Sequence, residues 1–144
     1  MEFESIHVDT DCNCIYGASQ DIDSIYVRKI SNLEVLEKDL KSHWEKGTRI
    51  DDDCNLICGY KGLSINIWNE NSQKSIITKF LLTFGISQKS KSSLYIFKFK
   101  ENAGLLKHTP TKDDEHHYTF YKSDNFKPEM LEKVEIKELR SFLE

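Results

Sequence analysis

Residues 63–85, LSINIWNENSQKSIITKFLLTFG, change their hydrophobic period halfway along, and that change decides the fold class. At the start, Leu63, Ile65 and Ile67 alternate with Ser64, Asn66 and Trp68, the period-two pattern of a strand covered on one face. From Ser72 onward the apolar positions are Ile76, Ile77, Phe80, Leu81 and Phe84, a stripe that predicts a helix over residues 72–84 with Gly85 as its stop. Each element is apolar on one side only, so each must pack against another layer.

Outward from this stretch, residues rich in β-branched and aromatic side chains predict further strands over 2–8, 13–17, 24–30, 56–60, 93–100 and 116–122. Lys61 and Gly62 between the runs 56–60 and 63–68 read as a hairpin turn. A second helix is predicted over residues 32–46, where Leu33, Leu36, Leu40 and Trp44 stripe one face, Ser31 and Glu34 fit a capping box, and Gly47 fits a C-terminal cap. The tail from Lys127 mixes both periods and is expected to hold one or two short helical pieces. Strands in hairpin-like runs with two embedded helices, without regular alternation of strand and helix, predict an α+β domain: an antiparallel sheet of five to seven strands packed on two main helices.

The chain has 144 residues, 38% of them hydrophobic, which is enough for one core and predicts a single domain over residues 1–144. Charge is unevenly spread. Residues 1–60 carry 13 acidic and 6 basic side chains, residues 61–112 carry 2 and 9, and residues 113–144 carry 9 and 5, so a basic middle lies between acidic ends. The longest apolar stretch, residues 76–86, is interrupted by Lys79 and is about half the length needed to cross a bilayer. No basic and apolar leader opens the sequence, and only four cysteines are present, so reduced thiols and a cytoplasmic location are expected.

Those cysteines sit in a near repeat, Asp9-Thr10-Asp11-Cys12-Asn13 and Asp51-Asp52-Asp53-Cys54-Asn55, each followed by a second cysteine, Cys14 or Cys58. Four thiolates suit tetrahedral zinc, but Cys12 and Cys14 are too close for the common knuckle. In a strand, Cys54 and Cys58 would be about 13 Å apart. No cofactor is therefore expected, with structural zinc on the cysteines as the minor alternative. Calcium is excluded, because the Asp-x-Asp-x-Asn starts lack the glycine at the sixth loop position and the glutamate at the twelfth. His116 and His117 are adjacent and would face opposite sides of a strand. Phosphate-binding glycine loops, zinc-hydrolase and zinc-deaminase signatures are all missing, so the reading leans away from an enzyme.

Two acidic runs, Asp51, Asp52, Asp53 and Asp113, Asp114, Glu115, fall in predicted loops and present negative charge suited to a basic protein partner. The functional expectation is a non-enzymatic binding domain, in its concrete form a small neutralising partner such as an immunity protein or an inhibitor of a nucleic-acid enzyme. The alternative is a nucleic-acid or nucleotide-binding domain using the basic segment 74–100, with Lys89, Lys91 and Lys98 beside Tyr95, Phe97 and Phe99. A third reading assembles a small enzyme site from Cys58, His108 and His116.

Overall fold

The computed structural model describes residues 1–143, in which three helices, α1 (Glu4–His7), α2 (Cys54–Lys61) and α3 (Gln73–Thr83), accompany six strands. The strands are β1 (Ile25–Ile30), β2 (Leu63–Ile67), β3 (Ser93–Phe99), β4 (Gly104–His108), β5 (His117–Lys122) and β6 (Leu131–Glu138). They form one sheet in the order β4-β5-β2-β1-β3-β6, every pair antiparallel, so the fold is α+β. The change of period near residue 68 is realised through a reciprocal turn. Asn69 Oδ1 accepts from the backbone of Asn71 and Ser72, while Ser72 Oγ accepts from Asn69 N and donates to Ile67 O, which aims α3 back over the sheet.

The connections force the sheet to curl. β3 and β4 stand four strand spacings apart, about 19 Å if the sheet were flat. Only residues 100–103 join them, and that link includes a turn with Asn102 in the left-handed region. Fully extended, such a link reaches about 17 Å. Curling brings both edges onto one core, in which Leu106 from β4 and Leu131 from β6 share a cluster with Tyr26, Phe97, Phe99 and Phe120. The rings of Phe99 and Phe120 lie 4.4 Å apart between centroids. Gly104 is required at the tight edge, where a Cβ would collide with the Tyr121 carbonyl and the Phe120 ring. The outer face is covered by α3 through Ile76 and Phe80, packed on Val27, Trp68, Leu94 and Ile96.

One seam in this sheet is short. β1 pairs with β3 along its whole length but with β2 only at Tyr26 with Ile67 and Val27 with Asn66. Beyond Val27 the two strands part, and the Arg28 side chain enters the opening, donating from Nε to Asp39 O and from Nη1 to Ser64 O at 2.7 Å.

Several expected elements are corrected. Residues 32–46 form only a 3-10 turn at Glu37–Leu40 in place of a helix. The Asp39 carboxylate accepts from Leu36 N and from Ser31, an alternative to the helical ladder that holds the segment as a loop with Leu40 in the core. The reciprocal serine and glutamate bonds occur instead at Ser42 and Glu45. The expected strand 56–60 and its hairpin are α2, started by Asp53, whose side chain accepts from Leu56 N. The expected strand 2–8 contains the helical turn α1, whose Glu4 and Ser5 amides donate to Asp124 from the far end of the chain. Residues 13–17 are a turn, and β4 was not anticipated. In the tail, the expected helical pieces shrink to 3-10 turns at Pro128–Met130 and Leu139–Phe142 around β6. A bulge leaves Val134 unmatched between Lys133, opposite Phe97, and Glu135, opposite Ile96.

Candidate functional site

The cysteines are not reduced and do not form a zinc site. They pair as Cys12–Cys54 and Cys14–Cys58. Helical spacing explains the pairing, because residues 54 and 58 lie on one face of α2 and can meet two cysteines two apart in an extended turn. The two halves of the near repeat are therefore different structures, a turn and a helix, laid against one another. Among the described residues no group of three or more His, Cys, Asp or Glu is placed to hold a metal.

The Cys12–Cys54 bond brings together the aspartates on both sides of it. With the two Cα atoms 5.5 Å apart, the bond sets the segment of Asp9 and Asp11 against that of Asp51, Asp52 and Asp53; each of the five lies within three residues of a bridged cysteine, and all five are exposed. Sequence reasoning chose only Asp51, Asp52 and Asp53; the signal for the other two was the cysteine pairing. Asp53 also caps α2, whereas Asp51 makes no side-chain hydrogen bond or ion pair among the described residues. Beside this knob the Lys61 ammonium is buried under the Trp44 ring and donates to the carbonyls of Ile6 and Val8, fastening α1. Burial lowers its pKa, and the nearby Asp9 charge acts against that shift.

The second acidic run divides. Asp113 and Glu115 are exposed, but Asp114 is buried and accepts from Lys79 Nζ at 2.8 Å, Asn66 Nδ2 at 2.8 Å and His116 N at 3.1 Å. Burial alone would raise the Asp114 carboxyl; the hydrogen bonds from Lys79 and Asn66 outweigh it and hold the group below the ordinary carboxylate range. Asp114 thus ties the 109–116 loop to α3 and β2 and offers little charge to a partner.

Asp114 and Lys79 also separate two cavities. One, of about 280 Å³, is lined by Ser75, Lys112, Asp113, Glu115 and His116. The other is a groove of about 500 Å³ at the open seam between β1 and β2, where Arg28, Lys29, Lys46, His43 and His117 meet Phe80 and Phe84. His116 and His117 serve different cavities, as their adjacency implied. The elements of the Cys and His alternative are otherwise engaged: Cys58 is in a disulfide, His108 Nε2 is 2.8 Å from Glu115 O, and His116 lies 3.4 Å from the Glu115 carboxylate. Tyr95, Phe97 and Phe99 are buried in the core, so these three rings are not open to stacking beside Lys89, Lys91 and Lys98. No described helix is long and apolar enough to cross a membrane. Compared with known proteins, the chain matches no family model, no curated protein and no solved structure.

Proposed function

We propose that this domain is a non-enzymatic protein-binding module that presents the disulfide-fastened aspartate knob to a basic surface on its partner, in the manner of an immunity or inhibitor protein. The observation that carries the reading is that five exposed aspartates lie within three residues of the cysteines of one covalent link. A charged surface of this kind accelerates encounter with an oppositely charged partner and disfavours partners of like charge. Asp113 and Glu115 extend the same chemistry on a second loop. Paired cysteines persist in oxidising compartments, so the reduced-thiol argument for a cytoplasmic location gives way to an oxidising setting in this proposal.

The test captures partners from lysate of the source cell on the tagged domain at low and high salt, then follows association kinetics with the recovered protein. Asp51→Lys with Asp52→Lys leaves the Asp53 cap in place and is expected to slow association about tenfold or more at low salt, with the difference shrinking as salt rises. An unchanged association rate would remove the knob from the interface.

A further inference from the structure

The groove at the open seam between β1 and β2 has a charge balance unlike that of the knob. Its walls carry four cations, Arg28, Lys29, Lys46 and Lys79, against two carboxylates, Asp39 and Asp114. Both carboxylates are buried and already hydrogen-bonded within the protein: Asp39 by Leu36 and Ser31, Asp114 by Asn66, Lys79 and His116. Lys29 and Lys46 form no ion pair among the described residues. The Arg28 guanidinium is held by two carbonyl oxygens rather than by a carboxylate, and its Nη2 meets no acceptor among the described residues. A guanidinium positioned in this way, with donors left over, is suited to the paired oxygens of a carboxylate or phosphate.

One wall of the groove is aromatic. Phe80 and Phe84 stand edge to face with centroids 5.5 Å apart, Phe84 is 45% exposed, and Lys29 Nζ lies 4.6 Å from the centre of the Phe84 ring. A volume of about 500 Å³ is within the range of small-ligand sites, and the lining here is polar except for the two phenylalanines. We propose that this groove binds a small organic anion, its carboxylate or phosphate facing Arg28 and the two lysines and its flat apolar body lying against Phe84. This is a second site on the domain, independent of the aspartate knob.

The test titrates the folded, disulfide-bonded protein with phenyl phosphate, benzoate and inorganic phosphate at low salt, reading backbone amide shifts by NMR. Shifts confined to Lys29, Lys46, Thr83 and Phe84 on adding phenyl phosphate or benzoate are expected, and the stronger of the two identifies the anionic group. Lys29→Glu with Lys46→Glu should weaken binding about tenfold or more, the order expected for losing a charge-assisted contact. Thr83→Trp, at an exposed position on the rim, should abolish it by filling the groove. Shifts scattered over the surface, inorganic phosphate binding as tightly as phenyl phosphate, or wild-type affinity in both folded variants would each overturn the proposal.

Discussion

At the scale of single residues, carboxylates that accept backbone and side-chain hydrogen bonds organise this chain more than its free ones do. Asp39 converts an expected helix into a loop, Asp124 caps α1 across the whole sequence, and Asp114 joins a loop, a strand and a helix. Replacing Asp114 by Ala leaves the Asn66 amide and the Lys79 ammonium without their acceptor. Since Lys79 is 37% exposed and regains water, the expected loss is about 2 kcal/mol, measured by urea unfolding. The sign of the pH dependence follows from the depressed pKa. The carboxylate contributes stability above the unfolded aspartate value of about 4, and this contribution fades as pH falls through the lower folded value. Asp21 acts the same way. Burial opposes its ionised form, but bonds from the Tyr26 hydroxyl and the Ser24 and Asp23 amides prevail and bring it to about 2. Acid unfolding is therefore expected to steepen between pH 4 and 2, less so in the Asp114→Ala protein.

At the scale of elements, the two disulfides are interleaved, with sequence separations of 42 and 44, so they do not contribute equally additive constraints. Closing the first loop of some 43 residues is worth about 4 kcal/mol in the chain-entropy account, whereas the second then closes only a small ring, worth about 2 kcal/mol. Removing either pair, as Cys12→Ser with Cys54→Ser or Cys14→Ser with Cys58→Ser, is expected to cost about 2 kcal/mol, and removing both about 6 kcal/mol. A double removal that costs only the sum of the two single removals in denaturant titrations would contradict that arrangement. The same element shows where sequence reasoning stopped. The run Leu56–Tyr60 has strand-like composition, and only the Asp53 cap and the four-residue spacing of Cys54 and Cys58 mark it as helical. By contrast, β1, β2, β3, β5 and α3 were legible because period and composition agreed there. β6 was hidden by its bulge at Val134, which breaks the alternation, and α1 by a cap supplied from Asp124. Of the six acidic residues chosen as a binding site, Asp114 is internal because its partners Lys79 and Asn66 are brought to it only by the fold.

At the scale of the whole molecule, the curl of the sheet gathers the aromatic core inside, while the unequal charge of the sequence is partly neutralised by contacts between its segments. Lys79 of the basic middle meets Asp114 of the acidic end, and Lys122 meets Glu45 at 2.8 Å. Charges left without an ion pair among the described residues include the aspartates at Cys12–Cys54 and Lys29 and Lys46 of the groove. The short seam between β1 and β2 has a further meaning for motion. A sheet ordinarily exchanges its amide protons fastest along its outer strands and slowest at its centre. Here β1 is tied firmly to β3, and β2 to β5, but they meet one another over two residue pairs, so the weakest line runs down the middle of the sheet. Deuterium should therefore enter at Lys29 and Ser64, whose backbone groups face the opening, well before it reaches Val27 and Ile96. That pattern would mark an opening confined to the seam beyond Val27, with the Arg28 side chain as the removable pin across it.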